Sequence, residues 1–567
     1  MVNRWDIKEQ PPADQIEKLS SEINVNPILS ALLLQRGISA FDEAKAYFRP
    51  SLEQLHDPFL MKDMDLAVDR INEAIKNNQK MLVYGDYDVD GTTAVATFFG
   101  FLRAHHKNID FYVPDRYTEG YGVSMQGIDY AAQNGIDLIV SLDCGIKAED
   151  KVAYAKAKGI DFIICDHHRP GKSLPGAVAI LDPKQSDCTY PFKELSGCGV
   201  GFKLLQALCA KNGYDIKSLY NYLDLVAVSI ASDIVPITGE NRVLAHFGLM
   251  KLNRKPSVGL KALIKVAGLE GKLNISSVVF SIGPRINAAG RIAHARAAVE
   301  LLTTNHGEEA EEAASKINHH NAQRRDFDNS TTQEAFSMIE ESEARKNSKS
   351  TVLYKKDWHK GVIGIVASRC IDKYYKPTII LTESNNKITG SARSVTGFDV
   401  YEAIAACSDL LDQFGGHMYA AGLTLSEDNF AQFEKKFEEV VARTITEEQM
   451  IPTVEIDQII DLEAINQKFF NILRQMSPFG PKNMTPVFVS ENVYALDRPK
   501  IMKEKHIKFL AGQEGSDSKI EIIGFGFAEY FELINSGMRF KIAYTIEEND
   551  FTGVKSLQLY LKDLKFD

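Results

Sequence analysis

KMLVYGDYDVDG, residues Lys80–Gly91, decides how the rest of the chain is read. Its first half is a continuous apolar run of strand length, the form of a strand buried on both faces of a parallel sheet. Its second half sets Asp86, Asp88 and Asp90 at alternate positions. Three carboxylates at the mouth of a strand repel one another. A folded chain tolerates them together where cations sit between them.

Outward from this stretch the pattern repeats. Strand-like IDFYV, IDLIVSL, IDFIIC and AVAIL alternate with helix-like GTTAVATFFGFLRAH, SMQGIDYAAQNG and AEDKVAYAKAKG, the last two closed by Gly135 and Gly159. Short apolar runs between amphipathic helices are crossover units on a parallel sheet, so the fold class is α/β. In such a sheet ligands bind outside the carboxyl ends of the strands. Two further polar clusters fall there: Asp143 at the end of LIVSLDCG, and Asp166, His167 and His168 at the end of DFIICDHH. A fourth contributor is Asp233 in AVSIASDIVP, after an apolar helix that Pro236 ends. A lone aspartate after a strand is usually a cap, and a lone His-His pair is usually structural. Four clusters at one sheet edge are a metal centre. Carboxylates with imidazole suit Mn²⁺ first and Mg²⁺ second. So many ligands exceed the need of one ion. Two ions about 3.5–4 Å apart would clamp a phosphate and activate a water. The GKS at 171–173 is no P-loop, because Asp166 stands where its first glycine belongs.

The chain has 567 residues, enough for three or four domains. Residues 1–45 carry no readable motif. Residues 46–240 hold the metal motifs, and 241–347 a basic helical segment followed by a long polar helix, Ala314–Lys346, read as a solvated connector. A second α/β domain is expected over 348–447 and a β-rich barrel over 448–567, from the runs TPVFVSENVYAL, HIKFLAG, KIEIIGFGF, RFKIAYTI and SLQLYLKD. Seven scattered cysteines without a C-x-x-C pair suit a reducing cytoplasm. Nothing in the sequence reads as a membrane span or a signal peptide. The net charge of −11 argues against a generic nucleic-acid coat. Locally, however, Lys251, Arg254, Lys255, Lys261, Lys265, Lys272, Arg285 and Arg291 stand against the single acid Glu270, enough for a basic wall. The barrel adds Arg498, Lys500, Lys503, Lys505 and Lys508, with aromatic residues nearby for base stacking.

GDYDVDG, SLDCG, CDHH and ASDIVP together resemble the four metal motifs of the DHH phosphoesterase superfamily. VPDRYTEGYGVS (113–124) and GPRINAAGRI (283–292) narrow the resemblance to its RecJ family, the bacterial 5′→3′ exonucleases specific for single strands. GSARS (390–394) and GGHMYAAG (415–422) resemble the DHH-associated domain, and PFGPKNMTPVF (478–488) the start of the OB-type domain. The resemblance implies that Asp88 binds one metal and Asp90 the other. Asp143 would bridge them, and His167 and Asp233 would complete the second site. It gives His168 a phosphate oxygen to stabilise and Asp166 an imidazole to orient. Whether Asp86 touches a metal or stands behind one stays open. Asp143, Asp166 and His168 are thus the expected catalytic group. Arg116, Ser391 and Arg393 would hold a 5′-terminal phosphate, with Arg285, Asn287, Arg291 and His417 as further DNA contacts. Two departures stand out. Tyr84 falls where some relatives carry a metal-binding histidine. Lys482 replaces a usual glycine in a loop expected to be remote from the metals.

The implied function is hydrolysis of single-stranded DNA to 5′-mononucleotides in repair and recombination. The implied protein is a monomer, with a single-strand-binding protein and a helicase as further partners. The alternatives are a DHH-type oligonucleotide phosphodiesterase, disfavoured by the chain's length, and a non-catalytic single-strand-binding scaffold, disfavoured by an intact set of metal motifs.

Overall fold

The computed structural model describes residues 3–384, 386–549 and 555–566. They divide into two compact units: residues 49–325 with 478–484, and the described parts of 1–48, 326–477 and 485–567.

The first unit is built on five parallel strands: β1 (Met81–Gly85), β2 (Ile109–Tyr112), β3 (Leu138–Leu142), β4 (Asp161–Cys165) and β5 (Ala179–Leu181). Their order is β2-β1-β3-β4-β5, with every neighbouring pair parallel. Successive residues point to opposite faces, and both faces are covered. Met81, Val83, Val140 and Ile163 join the core on one side; Leu82, Tyr84, Ile139 and Ile164 join the core on the other. That is why these strands are apolar throughout. Helices α1 (Val89–Leu102), α2 (Met125–Gln133) and α3 (Glu149–Ala157) follow β1, β2 and β3. Past the sheet come α4 (Gly197–Asn212), α5 (Leu223–Ser232) and α6 (Gly283–Ile292). The chain reverses its direction of growth between β1 and β3, so the crevice for a ligand opens there.

Several expectations shift in detail. Helix α1 begins at Val89, which puts Asp88 at its N-cap and Asp90 inside its first turn. Helix α5 ends at Asp233, three residues before Pro236, because Ile234 turns the chain at φ +60°. The basic wall is thinner than its sequence. Lys251 spends its charge on buried Asp224 at 2.8 Å, and Arg285 is half-buried against Asn318.

Long helix α7 (Gly307–Glu340) starts and stops earlier than its polar pattern suggests, and its residues are shared between the two units. It is not wholly solvated. Asp328 is buried and bonded to Arg369 at 2.7 Å, a pairing that hydropathy hides.

In the second unit, β6 (Thr351–Tyr354), β7 (Thr378–Ser384), β8 (Lys387–Arg393), β9 (Gln413–His417) and β10 (Ala420–Leu425) form a mixed sheet in the order β9-β10-β8-β7-β6. Helix α8 (Ile363–Tyr374) connects β6 to β7. Five later strands, β11 (Phe488–Ala495), β12 (His506–Gln513), β13 (Lys519–Gly524), β14 (Phe540–Asn549) and β15 (Ser556–Phe566), pair as β11-β14-β15-β13-β12. Pairing of β12 back to β11 closes them into a barrel, the OB-type arrangement. The unreadable N-terminus has a place as well. Arg4–Ile7 forms a strand that pairs in parallel with Thr453–Ile456, and Trp5 Nε1 donates to Asp563 Oδ2 at 2.6 Å. No helix among the described residues is long and apolar enough to cross a membrane.

Candidate metal centre

Register brings the acids together. Gly85, Leu142, Cys165 and Leu181 are paired in one row across β1, β3, β4 and β5. The residue after each is an aspartate: Asp86, Asp143, Asp166 and Asp182. All four are buried. Asp182, which the motif reading passed over, accepts from Lys184 N at 2.7 Å, and burial pushes its carboxyl up to about 7. Its signal was its place at the end of a strand.

The four acids are treated differently. Asp166 Oδ1 accepts from the backbone N–H groups of His167 (2.7 Å) and His168 (3.1 Å) and meets His168 Nδ1 at 2.7 Å. Its Oδ2 accepts from Ile146 N at 2.9 Å. Burial alone would raise this carboxyl, but the bond from His168 and the charge of both imidazoles outweigh it and hold Asp166 below the usual carboxylate range. Asp143 has no such help. It sits at φ +61°, and burial pushes its carboxyl well up, with Asp90 and Asp88 adding to the rise. Asp86 is pushed up by burial and by Asp88; its Oδ1 accepts from Gly122 N at 3.1 Å, while its Oδ2 has no partner.

Two helix termini complete the hollow. At the start of α1, Asp88 Oδ1 accepts from Gly91 N at 3.0 Å, as an N-cap should. Asp90 is held by Gly197 N (2.6 Å), Cys198 N (2.8 Å) and Ser229 Oγ (2.7 Å). The first two are unpaired donors at the N-terminus of α4, a natural seat for a carboxylate. Only glycine fits at 197, since a Cβ there would lie 2.5 Å from Asp143 Cβ. Asp233 caps the other end of the hollow, beyond α5. Burial and then Asp90 push its carboxyl up.

His167 stands at the centre. Its Nε2 lies 3.1 Å from Asp143 Oδ1, 3.5 Å from Asp233 Oδ2 and 3.8 Å from Asp90 Oδ2. None of these contacts is a hydrogen bond, and Asp143 Oδ1, Asp233 Oδ2 and both ring nitrogens are buried without a partner. Burial depresses this imidazole below its usual value, which keeps a nitrogen lone pair free. Asp143, His167 and His168 form one group able to hold a cation; Asp90, His167 and Asp233 form another. Orphaned donor atoms that converge without bonding each other fit divalent cations, and a set of oxygens with imidazole nitrogen fits Mn²⁺ or Mg²⁺. His168 is more open. Burial lowers it, but the bond to Asp166 and the surrounding carboxylates outweigh that and raise it above the usual histidine range.

The loop after β2 covers this hollow. Glu119 ties it down, accepting from Asp115 N (2.7 Å), Tyr112 OH (2.9 Å) and Ser124 Oγ (2.5 Å). Arg116 stacks over Tyr87 at 4.9 Å, and Tyr121 OH lies 3.2 Å from His168 Nε2. Neither ring was singled out from sequence, though both lie inside quoted motifs. Tyr84 turns away from the acids; its OH donates to Gly122 O and accepts from Ser124 N, both at 3.1 Å. Arg285, Asn287 and Arg291 lie on α6. Arg285 is half-buried and bonds Asn318 Oδ1 at 3.0 Å, and Tyr117 OH donates to Arg291 O. A Cβ at Gly290 would lie 2.8 Å from Tyr87 O, so α6 packs directly on the acid loop.

Lys482 has φ +60°, which explains a glycine preference there. Its loop packs with the metal-bearing unit rather than with the barrel. Residues 478–484 belong to the first unit, and Pro481 O accepts from Ile237 N at 2.8 Å, four residues past Asp233. Ile234 also holds a left-handed conformation, which costs a β-branched residue on the order of 1–2 kcal/mol.

Ser391, Arg393 and His417 belong to the second unit. Arg393 Nη1 donates to Ser391 Oγ at 3.0 Å, and the two side chains meet the first turn of α8, where a Cβ at Gly364 would lie 2.9 Å from Ser391 Oγ and 3.0 Å from Arg393 Nη2. A guanidinium, a hydroxyl and a helix N-terminus together suit a phosphate. Ala420 pairs with both Arg393 and His417, so the latter two share a row of the sheet.

Residues 80–230 match the DHH family N-terminal domain, 347–443 the DHHA1 domain and 456–563 the RecJ OB domain. The single-stranded-DNA-specific exonuclease RecJ of Bacillus subtilis is 38% identical over 564 residues, covering 99% of this chain and 70% of that protein. The protein of the same name from Escherichia coli is 30% identical, covering 97% of each. Among solved structures, RecJ of Thermus thermophilus in complex with Mn²⁺ matches with a TM-score of 0.85 at 26% identity, covering 100% of this chain and 80% of that one. Its complex with Mg²⁺ matches with a TM-score of 0.79.

Proposed function

The chain belongs to the RecJ family, and from that premise we propose that it is a metal-dependent exonuclease degrading single-stranded DNA from the 5′ end to 5′-mononucleotides, in repair and recombination. The observation that carries this reading is the convergence of Asp90 with the unpartnered atoms of Asp143, His167 and Asp233 on one buried hollow.

Asp88, Asp90, Asp143, His167 and Asp233 hold two divalent cations, Mn²⁺ in preference to Mg²⁺, with Asp86 at their side. When bound, such a pair polarises a phosphodiester and activates water. The chain's own residues do the rest. His168, held by Asp166 through Nδ1, donates to a non-bridging phosphate oxygen and stabilises the charge that builds there. Asp166 fixes the ring through Nδ1. Arg285, Asn287, Arg291 and His417 grip the strand. Ser391 and Arg393, with Arg116, receive its 5′ phosphate. We assign catalysis to residues 46–240, the basic segment and connector to 241–347, the DHH-associated domain to 348–447 and the OB-type domain to 448–567, with 1–45 as an extension. The protein acts in the cytoplasm as a monomer, beside a single-strand-binding protein and a helicase.

The test is digestion of end-labelled single-stranded and duplex DNA with Mn²⁺, Mg²⁺ or EDTA, beside Asp143→Ala. Mononucleotides released from the 5′ end of single strands only, lost with EDTA and with the substitution, are the expected result. Attack from the 3′ end, or equal attack on duplex, would overturn the reading. Arg393→Ala should abolish any preference for a 5′-phosphate over a 5′-hydroxyl end.

A further inference from the structure

Ile234 is placed at two disadvantages at once. Its φ is +60°, a conformation that β-branched residues rarely adopt, and 68% of it is exposed. The neighbours show that the exposure is not forced by packing. Val235 and Ile237 from the same IVPI run are buried, so the core takes two of the three apolar side chains and leaves this one out. The backbone is fixed from both sides: α5 ends at Asp233, Asn241 Nδ2 donates to Pro236 O at 3.1 Å, and Ile237 N donates to Pro481 O. Glycine or asparagine would take the same turn without strain and without showing apolar surface to water. Strain held in place by its surroundings, beside a metal centre, points to use. The location narrows that use, because Ile234 directly follows Asp233, whose Oδ2 is 3.5 Å from His167 Nε2.

We propose that Ile234 is a specificity-determining contact: an apolar wedge at the lip of the metal centre that packs against the base and sugar adjoining the scissile phosphate of a single strand. The idea rests on the nuclease reading above and adds a residue to it. A phosphate at the centre brings its own nucleoside within reach of the residue next to Asp233. Branched aliphatic side chains are known to part stacked bases by insertion. A wedge of this kind would separate the terminal nucleotide from its neighbour and present one phosphodiester at a time. A base pair at the lip would resist it, which favours single strands.

Ile234→Asn keeps the turn and removes the wedge; Ile234→Leu keeps apolar volume. On a 5′-phosphorylated single strand with Mn²⁺, Ile234→Asn should raise KM about ten-fold with kcat within about two-fold, the sign of lost binding shared by ground and transition states. Ile234→Leu should recover most of the parent KM. The thermal midpoint of Ile234→Asn should not fall, and its Mn²⁺ affinity, titrated without DNA, should equal the parent's. An unchanged KM overturns the wedge, as does weakened Mn²⁺ binding, which would make Ile234 a prop for Asp233. If instead the parent chain fails to degrade single strands, the nuclease reading itself is what falls.

Discussion

Asp166 and Asp143 are equivalent in sequence terms, since each follows a strand of the same sheet, yet their surroundings set them opposite tasks. Three backbone N–H groups and an imidazole keep Asp166 charged and bonded. Asp143 is buried with an orphaned oxygen. Asp166→Asn should therefore leave metal binding near normal while loosening His168, costing roughly 10–100-fold in kcat, the usual toll of an outer partner. Asp143→Ala should lose more and should also weaken Mn²⁺ binding; calorimetric titration separates the two. Equal loss of metal by both variants would contradict the division of labour. The acids themselves were legible because a carboxylate at a strand's end is costly without a reason. Tyr121 and Ile234 were not, because their meaning lies in where a loop folds back and which way one side chain turns.

At the level of elements, strand and helix runs from Lys80 to Leu181 could be read directly, because both faces of a parallel sheet demand apolar residues. The five barrel strands were legible for a related reason, alternation between turn signals, and all five close into one ring. What stayed hidden was partnership over distance. Nothing local in RWDI names Thr453–Ile456 as its neighbour, and nothing in PFGPKNM says that this loop docks on Ile237. Helix α7 reads as wholly solvated because its polar pattern conceals buried Asp328. The docked loop makes its own prediction. Lys482 pays for a left-handed backbone, so Lys482→Gly should stabilise the protein by up to about 1 kcal/mol, the relief of strain being partly offset by a freer unfolded chain. A thermal shift measures it, and a lower midpoint would count against the conformation described.

For the molecule as a whole, the metal centre is a liability before it is an asset. Asp86, Asp143 and Asp233 all have carboxyls raised above the ordinary range, chiefly by burial. A raised acid contributes stability that is complete below its unfolded value and is lost as pH climbs through its folded value. Without cations the chain should thus weaken as pH rises from acid towards neutral and above. Divalent cations cancel the repulsion and add binding energy, about 2.7 kcal/mol at a hundred-fold excess over Kd. Melting curves with Mn²⁺ and with EDTA should show a gain from the metal that is larger at pH 8 than at pH 6. A gain that shrinks with rising pH would speak against acids as the metal's hosts.

The pairing of the first strand with Thr453–Ile456 has a consequence for how the chain is made. A ribosome delivers Arg4–Ile7 well before Thr453–Ile456, with the whole acid-lined sheet made in between. At roughly 5–20 residues per second that is a wait on the order of half a minute. The nascent protein can assemble its acid-lined sheet while Arg4–Ile7 still waits for its partner strand. A later-made strand therefore decides when a much earlier one comes to rest.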